Sequence, residues 1–190
     1  MSTNPGSSAP VDQLPGQIAS LRPAIEAGSI RGIHLEGPFL SAAKCGAQNP
    51  RALSEPRTED IAAIIAAGDV VMVTIAPELP GAIEAIESLT NAGIRVALGH
   101  SQADNATTLA AIEAGASIVT HLFNAMPPLN HRAPCLTDVA LIDNRLSAEV
   151  IADGHHLSDE VLQLASRAKG QRLIAVTDAI GAAGMPDGDY

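Results

Sequence analysis

Aromatic side chains are almost missing from this chain of 190 residues. Phe39, Phe123 and Tyr190 are all it has, 2% of the total, with no tryptophan. A core built on large rings is therefore excluded. Basic residues are also scarce: 11 Lys and Arg against 21 Asp and Glu leave a net charge of −10. That balance excludes a broad basic footprint for nucleic acid. Two cysteines, Cys45 and Cys135, cannot make a disulfide framework, so a reducing cytoplasm is the expected compartment. No apolar run approaches the ~18 residues of a membrane span. The first ten residues, MSTNPGSSAP, lack the basic start and apolar stretch of a signal peptide. Neither G-x-G-x-x-G after the first strand nor G-x-x-x-x-G-K-[ST] occurs, so nucleotide binding has no motif behind it. Length is short as well: 190 residues fall below the roughly 250 of a complete eight-stranded α/β barrel.

What is present is small and aliphatic. Hydrophobic residues reach 46%, and alanine alone supplies 34 positions. A closely packed core of Ala, Ile, Val and Leu is therefore expected. β-Branched runs at residues 30–35, 70–75, 94–98, 117–120, 146–151 and 173–176 alternate with Ala-rich helical stretches. The helices are expected at 58–67, 80–92, 104–114 and 158–169, with others at 17–27 and, more weakly, 136–144. Gly28, Gly68, Gly93, Gly115 and Gly170 each follow a helical run, where a left-handed residue closes the helix. Thr58, Ser158 and either Ser101 or Asp104 are expected as N-caps. The strands read as continuous apolar runs, which suits a parallel sheet covered on both faces. Residues 43–56 and 124–134 form the two longest loops.

Six βα units fit an α/β barrel or a doubly wound sheet. Polar strand ends favour the barrel. Glu36, Glu78, His100, His121, Asp153 and Asp178 each follow a strand, and a parallel barrel gathers all such ends around one mouth. The fold expected is therefore α/β: a partial TIM-type (β/α) barrel of about six units, residues 17–190, preceded by a polar segment, 1–16.

Glu36, His100 and His121 offer one carboxylate and two imidazoles. Three protein ligands plus an open position are the usual composition of a catalytic zinc site, and the same set suits iron, manganese or cobalt. Asp178, after the last strand, is open to three readings: a fourth ligand, a general base, or the N-cap of a following helix. The Gly37-Pro38 pair makes a rigid turn that aims Glu36 back to the strand end. The loop from Asn124 has backbone N–H groups suited to an anion, and Arg132, His131, His155 and His156 stand near the rim. His34 shares a strand face with Glu36 and reads first as a core hydrogen-bonder. Cys45 and Cys135 fall in loops with no activating motif, so neither is read as a nucleophile.

GIHLEGPF (32–39), KCGAQNP (44–50), VTIAPE (73–78), ALGHS (97–101), THLFNAM (120–126), ADGHH (152–156) and AVTDAIGAAG (175–184) stand in order. Together they resemble the N-acetylglucosamine-6-phosphate deacetylase family of the amidohydrolase superfamily, over about residues 30–184. The resemblance implies a metal-dependent barrel enzyme that removes acetate from N-acetylglucosamine 6-phosphate. It implies one divalent metal per chain (Zn, Fe, Mn or Co) on Glu36, His100 and His121, with Asp178 as general base and then acid. It assigns sugar phosphate contacts to Asn124, Ala125, Arg132 and His156, partly across a homodimer interface, and places Ala47 and Gln48 beside the acetamide. Gln48 stands where many relatives have a histidine, so a neutral amide replaces a group that can become cationic. The H-x-H pair of the superfamily's first strand is absent, and a second metal lacks its usual ligands. On this resemblance the six strands are the third to eighth of the family barrel, the flanking β-sandwich is absent, and the chain is the catalytic middle of a longer enzyme. Two other readings stand beside it: an amidohydrolase acting on a cyclic amide or another acetamido sugar, and a non-catalytic metal-binding fragment.

Overall fold

The computed structural model describes residues 9–179, 183–186 and 188. Most of the polar first segment and the 180–182 stretch of the last motif lie outside these residues. Helical structure starts with a short 3-10 turn at Val11–Gln13 that runs into α1, Leu14–Glu26. Five βα units and a sixth strand follow, on the apolar runs: β1 Ile33–Glu36, α2 Thr58–Ala67, β2 Val70–Ile75, α3 Ala82–Asn91, β3 Arg95–Leu98 and α4 Asn105–Glu113. Then come β4 Ile118–Val119, α5 Leu136–Ile142, β5 Ser147–Ile151, α6 Asp159–Lys169 and β6 Leu173–Val176.

All neighbouring strands are parallel, and their order in the sheet is their order in the chain. That sequential order, with a helix between most strands, is the winding of a (β/α) barrel, here incomplete. Helix ends follow the expected chemistry. Gly28, Gly68, Gly93, Gly115 and Gly170 all have positive φ, from +52° to +112°. Asp104 and Ser158 cap α4 and α6, accepting from the amides of Thr107 and Val161. Thr58 does not cap. It is the first residue of α2, behind an extended Arg57 whose guanidinium instead grips Asp60 at 2.8 Å. No side chain caps α2; the charge-assisted pair ties Arg57 to the first turn of the helix.

Phe39, Ile75, Ile86, Leu89, Val96, Leu98, Leu136 and Leu146 are fully buried between sheet and helices. Cys135 is another correction. It is buried, and as the residue before α5 it takes part in a capping box with Asp138 rather than lying in a mobile loop. Burial comes first in raising its thiol pKa. β6 departs from the pattern: Ile174 is 40% exposed, whereas β1, at the other end of the sheet, is buried throughout. No helix among those residues is long and apolar enough to cross a membrane.

Candidate metal centre and cavity

Glu36 ends β1, and His100 and His121 each stand two residues past a strand, on the turns after β3 and β4. Both histidines have left-handed backbones, φ +48° and +32°, as does Asp178 at +48°. A non-glycine residue in that region costs about 1–2 kcal/mol. Surrounding contacts sustain it here, and all three side chains line one cavity.

The result is a tight triangle. Glu36 Oε1 lies 2.7 Å from His100 Nε2 and 2.9 Å from His121 Nε2, and the two Nε2 atoms are 3.0 Å apart. All three side chains are at least 94% buried. His100 Nδ1 lies 2.8 Å from the Lys44 carbonyl, which can only accept, so Nδ1 carries the hydrogen. In a neutral ring Nε2 would then present a lone pair to a carboxylate oxygen, so a proton or a cation has to lie between them. Two acceptors and a third ring nitrogen at one point call for shared positive charge, as protons or as a cation. The three residues are the group among the described residues that could hold a metal ion. The donor set, one carboxylate and two imidazoles with a carbonyl orienting one ring, fits a divalent metal.

Electrostatics agree. For Glu36, burial opposes ionisation, but hydrogen bonds from both histidines hold its pKa well below the usual carboxylate range. For His121, burial works against the cation, yet the bond to Glu36 and its charge prevail and raise the pKa. Its Nδ1 is buried with no hydrogen-bond partner among the described residues.

A cavity of about 270 Å³ opens onto the triangle. Ala47, Gln48, Asn124, Ala125, His156 and Asp178 line it beside Glu36, His100 and His121. Nine of the ten residues to which the resemblance assigns a role thus share one cavity. Arg132 does not: it is exposed on its loop, its amide donating to Asn130 Oδ1. The helix that would make Asp178 an N-cap falls at 180–182, outside the described residues. His156 Nδ1 meets Asp153 Oδ2 at 2.8 Å, which fixes the ring.

Not every polar strand end converges. Glu78 accepts from Ser101 Oγ and the Gln102 amide, both at 2.6 Å, and so holds the turn after His100. Sequence reasoning missed Glu149, Thr74 and Thr120, all buried. The signal was partial: Thr74 is the one polar residue in its strand run, whereas Glu149 and Thr120 share theirs with Ser147 and Ser117. The larger groove between α2 and α3, about 460 Å³, has Glu84 as its one ionisable lining residue and offers no comparable chemistry.

No protein-family model matches the chain. It is 37% identical over 188 residues to N-acetylglucosamine-6-phosphate deacetylase of Vibrio furnissii, covering 96% of this chain and 47% of that protein. It is 39% identical over 163 residues to N-acetylgalactosamine-6-phosphate deacetylase of Escherichia coli O157:H7, covering 85% of this chain and 43% of that protein. Among solved structures it is similar to a mutant N-acetyl-D-glucosamine-6-phosphate deacetylase from Mycobacterium smegmatis, in complex with N-acetyl-D-glucosamine-6-phosphate. There the TM-score is 0.93 and the identity 42%, over 100% of this chain and 50% of the other. The chain spans about half the length of the curated relatives it matches.

Proposed function

Because the chain belongs to the N-acetylglucosamine-6-phosphate deacetylase family, over about half the length of its relatives, we propose that it carries that family's hydrolytic site. The reaction is hydrolysis of the acetamide of N-acetylglucosamine 6-phosphate to acetate and glucosamine 6-phosphate. One observation carries the reading: Glu36 Oε1, His100 Nε2 and His121 Nε2 meet within 3.0 Å at the floor of a cavity that also holds Asp178 and Gln48.

Glu36, His100 and His121 would hold one divalent cation (Zn, Fe, Mn or Co), which supplies Lewis acidity and acidifies water when bound. The carboxylate of Asp178 takes the proton of the attacking water at an Oδ atom. It then returns that proton to the sugar nitrogen, turning a poor amide leaving group into an amine. Gln48 lines the cavity, where its amide can donate to the acetyl carbonyl without carrying charge. Asn124, Ala125 and His156 line the side of the cavity that takes the sugar phosphate. Arg132, outside this cavity, reaches a partner's site in a homodimer. Residues 17–190 act as the catalytic barrel, behind the polar segment 1–16, in the cytoplasm.

The relative from Escherichia coli O157:H7 favours a second substrate, the galactosamine epimer. The test is acetate release by the purified chain from both 6-phosphates and from unphosphorylated N-acetylglucosamine, with metal quantified on the same sample. Release that depends on the phosphate supports the reading, and the preferred epimer assigns the substrate. Equal release without the phosphate points to a different amidohydrolase. Bound metal with no release leaves a metal-binding fragment.

A further inference from the structure

Beneath the metal triangle lies a second polar layer to which nothing so far assigns a role. His34 on β1, Thr74 on β2 and Thr120 just past β4 are 7%, 0% and 4% exposed. His34 Nε2 lies 2.7 Å from Thr74 Oγ1, and Thr74 Oγ1 lies 2.8 Å from Thr120 Oγ1. Together they form one continuous hydrogen-bonded chain running from β1 to β4.

The chain crosses β3, and a single residue makes the crossing possible. Gly99 lies between the two threonines. A Cβ there would come within 3.1 Å of Thr120 Cβ and 3.2 Å of Thr74 Cγ2. Any side chain would press the threonines apart and lengthen their bond.

Its placement is specific. His34 precedes Glu36 by two residues on the same strand face. Gly99 immediately precedes His100, and Thr120 immediately precedes His121. Every ligand of the triangle is thus within two residues of the chain or of the gap it crosses. Valine would fill the volume of either threonine with no polar group to desolvate, so burial alone does not call for hydroxyls. What hydroxyls add is direction: a hydrogen bond sets distance and angle between strands, where apolar packing tolerates sliding.

We propose that His34, Thr74 and Thr120 are positioning residues: their chain holds β1, β2 and β4 in the register that brings Glu36, His100 and His121 to one point. The inference rests on the metal-centre reading above and deepens it. Zinc binding by the unaltered chain, measured by competition with a chromophoric chelator, tests that reading. A pair of variants then tests the chain of bonds. Thr74→Val keeps the volume and loses the hydroxyl; Thr74→Ser keeps the hydroxyl. Thr74→Val is expected to weaken zinc binding about tenfold, the lower end of what losing a direct partner of a metal ligand costs because Thr74 acts through the strands, and Thr74→Ser to stay within about threefold of the parent. Denaturant unfolding in chelator reports fold integrity separately from affinity. Thr120→Val and Thr120→Ser repeat the comparison on another strand if Thr74→Val does not fold. Zinc affinity unchanged in the valine variants, or lost equally in the serine variants, overturns the proposal.

Discussion

Glu149 on β5 gives the sharpest quantitative test of the cavity's electrostatics. Its side chain is buried, and among the described residues no hydrogen bond reaches its carboxylate. Burial pushes its pKa up from 4.5 to about 7; the nearby His121 charge opposes the shift, while Glu36 and Asp178 add to it. The folded chain therefore holds this proton more tightly than the unfolded chain does. The stabilisation is fully present below pH 4.5 and is lost as pH rises through about 7. At about 1.4 kcal/mol per pH unit, the ionised carboxylate costs about 3 kcal/mol by pH 8. Glu149→Gln cannot ionise. Against the parent it should gain about 3 kcal/mol at pH 8 and about 2 kcal/mol less than that at pH 5.5. His34 runs the other way. Burial lowers its pKa from 6.5 to about 4, so its contribution is present above 6.5 and lost as pH falls through about 4. The parent's own pH profile mixes these opposed effects, and the readout must be the difference between variant and parent. Urea unfolding of both proteins in chelator, at the two pH values, supplies it. A gain that does not grow with pH, or a loss at pH 8, refutes the reasoning.

Asp178→Asn keeps the shape but cannot shuttle a proton: turnover should fall by about 10²–10⁴ with metal content unchanged, and metal loss or intact turnover contradicts the role. Native-state alkylation read by mass spectrometry should label partly exposed Cys45 and spare buried Cys135, whose thiol pKa is raised; equal labelling would place Cys135 outside its cap. Among the described residues β1 and β6 each pair with one strand, and such edges invite association. Light scattering across a concentration series should show self-association or a broad unfolding transition, and a sharp, cooperative monomer would count against it.

Much of the fold is legible in residue order. Apolar strand runs, Ala-rich helices and the glycines that end them are local choices, and local sterics enforce them wherever the chain goes. The strand 70–75 and the helix 58–67 coincide with the observed elements for that reason. The Glu36, His100 and His121 cluster is legible too, since a polar residue after a parallel strand has only one end of the sheet to occupy. Other features are invisible to local reading. His and Asp enter the left-handed region more readily than most residues, but the types of His100, His121 and Asp178 do not by themselves specify it; neighbours enforce it. Glu78 is a polar strand end like Glu36 in sequence, yet it holds Ser101 and the Gln102 amide instead of joining the cluster. Thr74 and Thr120 stand 46 residues apart and meet only because Gly99 leaves room between their strands. The sequence alone determined the elements, their order and the kinds of groups at the strand ends, because these follow from short-range periodicity. Tertiary structure decided which of those groups converge within 3.0 Å and which are diverted, because that depends on strand register and sheet curvature, properties of many residues together.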